Sequence, residues 1–475
     1  MEQRPPGPTQ PVDMAAWTRR LADIFVGRKV IMAFFVLAGM THRVDQLLRY
    51  GARRPLLIPH ALGTGAVPSA ADADVHLLAM PPERLVTDEV RRTEQLSIEP
   101  TEDIRRAVEA YDRDRRAVWW LAPPCRTGEL LGRPAYGGRP ASWAALEDKL
   151  IADDIWAACK VPGPPVRVAS CTYDELVGAA RELDRGSGTV WSGDARDGLN
   201  GGAEYTFWVR TERQARSSYS FLTEHCERVR VMPFLEGTPC SIHGFVLPDG
   251  VAVFRPVETV VLRRPDTGRF VYGGLGTWWD PPDGDRAHMR IVARRVGGWL
   301  ADAVGYRGGF SVDGVLTADG FVPTEMNPRF TGGLTTVARA TPDVPLELLQ
   351  LNVVAGNDPA ISAADFESLV VTAADENRGG RMMGISVGGE MSTQRSVEVI
   401  WEADRFREAQ DGEEPTGTAT LGPGPVGGIV LLETAPDALR SGMRMAEMNA
   451  ALLRFADAEW GTDFGRVEPA ADVRR

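Results

Sequence analysis

Lysine is almost absent from this chain. Of 53 basic residues among 475, only Lys29, Lys149 and Lys160 are lysines. Any chemistry that needs an ammonium rather than a guanidinium group therefore rests on three positions. Positive charge is also scarce overall: 65 acids leave a net charge of −12 and a pI near 5.2. Phosphate neutralisation needs a surplus of positive charge, so this balance argues against a general nucleic-acid-binding surface. Long apolar runs are missing as well. The longest near the N-terminus, Ile31 to Met40, is about half of what a bilayer crossing requires, and no charge-then-apolar order of a secretory signal precedes it. A soluble, cytoplasmic chain with no membrane partner is expected. Cys125, Cys159, Cys171, Cys226 and Cys240 are odd in number and never spaced as CxxC, which suggests neither a disulfide framework nor a zinc site.

What is present is an ordinary globular composition, 43% hydrophobic and 25% charged, in a chain long enough for about two to four domains. Residues 1–12 are Pro-rich and polar and read as a loose tail. Val30 to Leu37 reads as a buried strand, Thr41 to Tyr50 as a helix and Pro55 to Pro59 as a second strand, a βαβ-like start with no GxGxxG loop. A Rossmann-like domain over 13–140 is expected, closed by the Pro/Gly-rich stretch Gly132 to Pro140. One helix from Ser142 to Cys159 should follow, then helix Tyr173 to Leu183, a strand ending in Val190, a glycine loop over Ser192 to Gly202, and a strand Val229 to Leu235. A hairpin turning at Pro248-Asp249-Gly250 comes next. Helix Ile291 to Val304 carries Ile291, Val292, Val296, Trp299, Leu300 and Val304 on one side. Beyond Ala363, strand-like runs at Met382 to Val387, Ser396 to Trp401 and Gly428 to Leu432 precede a helix at Pro436 to Phe455, suggesting a separate α+β unit.

The most informative stretch is the hairpin Gly308 to Leu334. Alternation places Ser311, Asp313 and Val315 on one face of the first arm, and Phe321, Pro323, Glu325 and Asn327 on one face of the second. A three-residue loop, Ala318-Asp319-Gly320, would pair Thr317 with Phe321 and hence Asp313 with Glu325. Like charges directly opposite one another are destabilising, so such a pair calls for a cation, with the Asn327 amide as a neutral oxygen nearby. Two carboxylates and an amide suit a hard ion such as Mg²⁺. Arg329 continues the alternation and could clamp a carboxylate or phosphate. The alternative is an exposed hairpin whose acids are merely solvated.

Glu325-Met326-Asn327-Pro328-Arg329, with an acid twelve residues before Glu325, resembles the metal-binding signature of the ATP-grasp enzymes. The likeness spans Trp143 to Val354 and includes Asp148-Lys149 before a Val161-Pro162-Gly163 exit, the glycine loop, and Met232-Pro233-Phe234-Leu235-Glu236-Gly237 at the adenine hinge. The fold it implies combines α/β and α+β parts: a Rossmann-like (pre-ATP-grasp) domain, a two-lobed ATP-grasp unit over 141–235 and 236–360, and a C-terminal α+β extension over 361–475. The resemblance further implies ATP and one or two Mg²⁺ as cofactors, the metal on Asp313, Glu325 and Asn327. It places Lys149 on the phosphates, although pairing with Asp153 at i+4 is the alternative. Met232, Pro233, Phe234 and Leu235 would read adenine and Glu236 the ribose. Arg329 would orient the substrate carboxylate. Many members carry a second lysine just before the glycine loop; Thr189-Val190-Trp191 stands here, leaving Arg196 as a substitute cation and Gly201 and Gly202 as amide donors or as plain hinge residues.

The chemistry implied is carboxylate attack on ATP, giving an acyl phosphate and ADP, followed by displacement of phosphate by an amine. The partners are thus a small carboxylic acid and an amine, an amino acid or peptide; a homodimer is compatible with the sequence. Arg255, on Phe254-Arg255-Pro256-Val257-Glu258, is the second arginine assigned to catalysis. Gly273 to Pro282, with Trp278 and Trp279, is either a lid or substrate wall or a core anchor. His243 is expected to be structural. The layout and the VFRPVE and WWDPP segments resemble peptide ligases of the pheganomycin type, which act in peptide natural-product biosynthesis.

Overall fold

The computed structural model describes residues 12–474 apart from 82, 123, 124, 126, 127, 197, 387–390 and 436; the expected N-terminal tail, Val12 excepted, lies outside these. Strand Val30–Val36 lies inside a mainly parallel sheet, between Leu56–Ala61 and Val118–Trp120, with Asp74–Val75 beyond the former and Arg133–Tyr136 beyond the latter. Its unbroken apolar sequence follows from burial in the middle of a parallel sheet, where both faces are covered by crossover helices such as Thr41–Arg49 and Glu102–Tyr111. This is the expected Rossmann-like unit. Arg43 reaches out of it to pair with Glu347, and Asn352 donates to Leu21 O, so its first helix and sheet share a core with the helices around 332–376.

The next unit begins with a break. The single helix expected over Ser142 to Cys159 is instead Ala141–Ala144, two 3₁₀ turns, Ala145–Glu147 and Lys149–Ile151, and Ala152–Ala158. Asp148 sits between the turns in an extended conformation, φ −64° and ψ 121°, and its side chain accepts from Leu150 N at 3.0 Å. An aspartate that caps its own downstream backbone offers that backbone an alternative to helix. Four antiparallel strands follow in the spatial order Arg167–Ser170, Arg228–Pro233, Thr189–Gly193, Thr206–Val209, backed by helices Tyr173–Leu183 and Glu212–His225. The second lobe is an antiparallel run: hairpin strands Gly320–Asn327 and Gly308–Thr317, then Thr238–Leu247, Gly250–Arg264 and Arg269–Gly276. Helix Asp283–Val304 packs against it through Met289, Val292, Ala293, Val296 and Leu300. It starts eight residues before the expected point, and Ile291 is 51% exposed rather than on the buried side. Among the described residues no helix is long and apolar enough to cross a membrane.

The C-terminal strands do not form a sheet of their own. Gly380–Ser386 pairs with Arg269–Gly276 on one side and Gly428–Thr434 on the other, so the C-terminal region extends the central sheet over a core of its own. The last helix is Ala446–Trp460 rather than Pro436 to Phe455; Gly442, at φ +84°, lies in the turn before it, and Pro436 is outside the described residues, as is Val387 at the end of its expected strand. Arg444 and the start of this helix are tied to the central sheet by Glu258, which accepts from Arg444 Nε at 3.1 Å and Met445 N at 2.6 Å, both side chains being fully buried. Removing the carboxylate strands a buried guanidinium, so Glu258→Ala should cost about 3–5 kcal/mol, measurable as a large drop in the thermal unfolding midpoint with little change from Glu413→Ala on the surface.

Candidate functional site

The hairpin brings Asp313 and Glu325 directly opposite each other, by a route different from the one the turn suggested. The loop has two residues, and Thr317 pairs with Gly320, not Phe321. That register would set Asp313 against Thr324. A β-bulge between Asp313 and Gly314 adds one residue to the second arm and restores the Asp313–Glu325 pair, with Ser311 opposite Asn327. The extra residue is Thr324, whose hydroxyl donates to Asp313 O at 3.3 Å. The bulge also reverses facing: Phe321 joins Val312, Leu316 and Met326 in the core, so Phe321 and Pro323 do not share a face with Glu325 and Asn327.

The acidic pair is heavily compensated. Glu325 Oε2 is 2.8 Å from Lys149 Nζ. Asp313 accepts from Ser241 Oγ and, at 2.9 Å, from Asn327 Nδ2. Burial, and next the charge of Glu325, push the Asp313 carboxyl up to about 6. The donors are oxygens of two carboxylates and an amide, the set a hard divalent cation prefers, and a carboxyl raised by its neighbour's charge is one that a cation would relieve. The residues therefore fit Mg²⁺, provided the Asn327 amide turns over to present Oδ1, which now accepts from Arg329. Among the described residues no third acid, histidine or cysteine completes a cluster.

Behind the hairpin lies a carboxylate that sequence reasoning missed. Glu147 Oε1 accepts from Arg139 Nη1 at 2.6 Å and Arg329 Nε at 2.9 Å, and Arg329 Nη2 donates to Asn327 Oδ1 at 3.1 Å. Although burial opposes their charges, Arg329 and Arg139 hold Glu147 below the usual carboxylate range, and Glu147, Glu325 and Asp313 hold Arg329 above the ordinary guanidinium value. Arg329 is thus fixed along one edge while its side chain stays 25% exposed. The only signal in the sequence was an acid just before Asp148-Lys149.

Lys149 projects toward the hairpin because of the break at Asp148, and Asp153, its alternative partner at i+4, is occupied elsewhere, by Arg230 at 2.7 Å through both Nε and Nη2. Trp191 is fully buried opposite Val231 in the first-lobe core. The other face of these strands carries Val190 opposite Met232 and Ser192 opposite Arg230, and it faces the turn that holds Lys149. Met232 is buried, and Phe234 stacks on Trp208 with ring centroids 4.3 Å apart, while its N–H donates to Gly188 O. Pro233 ends the strand opposite Thr189, and Leu235 continues from it. Glu236 is bound bidentately by Arg263 Nη1 at 2.8 and 3.0 Å.

The glycine loop is docked on the Rossmann-like unit. Glu204 caps helix Val86–Ile98, accepting from Val86 N and Thr87 N at 2.9 and 2.8 Å; Gly201 exchanges hydrogen bonds with Thr87; Arg91 donates to Leu199 O and Asn200 Oδ1. Gly202 has φ +63°. Arg196 is exposed, and its guanidinium donates to Glu224 O at 2.9 Å. Arg255 belongs to a second charge cluster, held by Asp280 and Asp375, with Arg378 also on Asp280; burial lowers it to about 10. None of these ionic partners belongs to the acidic hairpin. Trp278 and Trp279 are buried in the C-terminal and second-lobe cores, which makes them anchors. His243 is fully buried and desolvation lowers it to about 3, so its ring is neutral and structural.

No family model matches the sequence, and no curated protein matches it. Solved structures share its architecture, which is the ATP-grasp fold. Phosphoribosylamine–glycine ligase from Thermotoga maritima aligns over 93% of this chain and 97% of its own, at 13% identity and TM-score 0.50. Rhizobium etli pyruvate carboxylase aligns over 91% of this chain and 40% of its own, at 14% identity and TM-score 0.51. A carboxyaminoimidazole ribonucleotide synthase from Aspergillus clavatus, complexed with ATP, aligns over 93% and 99%, at 14% identity and TM-score 0.49.

Two outcomes test this geometry. Because Trp191 fills a core and does not line the cleft, Trp191→Lys should destabilise the chain by several kcal/mol in thermal unfolding and gain no nucleotide affinity. Glu147 titrates lower folded than unfolded, so the unfolded chain binds more protons near pH 4.5 and stability rises with pH there. Its contribution is complete above that range and lost as the pH falls below it. Glu147→Gln should therefore lower the unfolding midpoint at pH 7 and flatten its acid dependence.

Proposed function

We propose that this chain is an ATP-dependent, ADP-forming carboxylate–amine ligase that makes a peptide bond through an acyl phosphate. The observation that carries the reading is the convergence of Lys149, Asp313, Glu325, Asn327 and Arg329 at one edge of the hairpin: Lys149 pairs with Glu325, Glu325 stands opposite Asp313 in register, and Asn327 hydrogen-bonds both Asp313 and Arg329. Asp313, Glu325 and Asn327 would hold Mg²⁺, which when bound neutralises charge on the transferring phosphoryl group. Lys149 is drawn to Glu325 and would exchange that carboxylate for nucleotide phosphate once the cation takes its place. Arg329, braced by Glu147, would present its free edge to the substrate carboxylate and to the acyl phosphate. Met232 to Leu235 would read adenine. Glu236 would meet the ribose on leaving Arg263; Gly201, on leaving Thr87, and Gly202 beside it would approach the phosphates, as would Arg196 on leaving Glu224 O. Arg255 would act on the acceptor side of the cleft.

An acyl phosphate is required because oxide is a poor leaving group and phosphate a good one, and no protein nucleophile is needed. The layout and the VFRPVE and WWDPP segments support a peptide ligase of the pheganomycin type, acting in natural-product biosynthesis in the cytoplasm. The test is phosphate release from Mg·ATP with pools of carboxylic acids, amino acids and peptides. Release should require both an acid and an amine, and product mass should show their condensation with loss of water. Glu325→Gln should lower turnover by at least about a hundredfold. Full turnover in that variant would remove the metal assignment, and no release from any pool would instead favour a nucleotide-binding regulator.

A further inference from the structure

The three lysines of this chain are used in three different ways. Lys29 donates to Tyr111 O and lies over the Tyr111 ring inside the Rossmann-like unit, and Lys160 is exposed. Among the described residues only Lys149 pairs with a carboxylate, and that carboxylate, Glu325, belongs to the acidic pair suited to a divalent cation. The ammonium therefore occupies, 2.8 Å from Oε2, the charge position that the cation would need.

The acids nearest to Lys149 in its own segment are already engaged. Glu147 Oε1 is taken by Arg139 and Arg329, Asp148 Oδ1 accepts from Leu150 N, and Asp153 is held by Arg230 through two nitrogens. The lysine side chain is 13% exposed, so solvent ions screen it less than they would a surface lysine. Its backbone is fixed over the hairpin by the 3₁₀ turn Lys149–Ile151, whose Leu150 is buried.

Two costs follow for a divalent cation that arrives alone. Two positive charges would compete for one carboxylate, and the ammonium, once displaced, would lose its counter-charge in a partly buried place. An anion arriving with the cation removes both costs, because it gives the ammonium a new partner and adds negative charge to the site. Phosphate oxygens are such an anion, and a lysine meets them as a point charge without a fixed geometry.

We propose that Lys149 is a built-in counter-ion that bars a divalent cation from Asp313 and Glu325 until nucleotide phosphates draw it away, so that cation and nucleotide bind this chain as a coupled pair. This rests on the proposed function for the identity of the two ligands. Coupling of this kind is reciprocal: whatever factor the nucleotide adds to cation affinity, the cation adds to nucleotide affinity.

The experiment follows free Mn²⁺, a hard ion that carboxylates accept in place of Mg²⁺, by its electron paramagnetic resonance signal with the full-length chain and no nucleotide. Lys149→Met, and Lys149→Gln as a second neutral replacement, should bind Mn²⁺ at least about tenfold more tightly than wild type. Lys160→Met, which removes the same charge elsewhere, should bind it as wild type does, and Lys149→Met/Glu325→Gln should lose the gain. In thermal unfolding without divalent ions both neutral variants at 149 should melt below wild type, and Mn²⁺ should raise their midpoints more than it raises that of wild type. Equal Mn²⁺ affinity in wild type and the 149 variants, no binding by either variant up to tens of millimolar, an equal gain in Lys160→Met, or a gain that survives Glu325→Gln would each overturn the proposal. Phosphate release by a wild type whose Mn²⁺ affinity matches that of the variants would leave the ligase reading standing and remove the counter-ion. The predicted gain in a chain that releases no phosphate from any substrate pool would keep the counter-ion and remove the ligase reading.

Discussion

Two carboxylates held face to face in a sheet are the constraint around which this molecule is arranged. Asp313 and Glu325 would repel each other on a bare hairpin. Here each is answered by a group from a different part of the chain: Lys149 from the broken helical segment, Ser241 from the adjacent strand, Asn327 from the hairpin itself, and Arg329 through that asparagine. The hairpin alone would not hold the pair. It depends on the lobe packing that brings Lys149 over the cleft, and that packing depends on the short turns around Asp148. Under the proposed function a bound cation would relieve what remains of that repulsion.

Arginine does the structural work that lysine shares in most proteins. Buried arginines brace carboxylates at Asp153 and Glu258, each using two nitrogens of its planar fork at once, and Arg139 braces Glu147 through Nη1. A lysine could not span two acceptors in the same plane. Lys149 differs in kind. It is a single point charge on a flexible stem, joined to one carboxylate oxygen, and such a group can move between Glu325 and another anion without dismantling a network.

The glycine loop shows how the Rossmann-like unit takes part in the cleft without lining it. Glu204 on the first turn of the helix Val86–Ile98 satisfies two backbone N–H groups that the helix cannot satisfy itself. The loop is thereby anchored at one end by an interaction available only when the two units are in contact. Arg91 adds to this from the next turn. Movement of the loop toward bound phosphates would require giving up these contacts, so loop position and domain contact are one equilibrium.

Much of this was legible in the residues. The Rossmann-like start, the helix Tyr173–Leu183 and the pairing of Asp313 with Glu325 follow from apolar periodicity and from the spacing of two acids around a turn, both local properties. The pairing came out right although the turn did not, because the two-residue loop and the bulge at Thr324 offset each other by one residue; a bulge depends on what packs on each face, which no local pattern encodes. Facing was misread for the same reason at Phe321 and Pro323. Glu147 and Arg230 were invisible because each has meaning only beside residues up to 182 positions away. The sequence by itself determined which chemical groups are available, oxygen donors at 313, 325 and 327 and one lysine at 149. Tertiary structure decided which of the many arginines are consumed by carboxylates and which are left free, because only packing settles where each counter-charge lies.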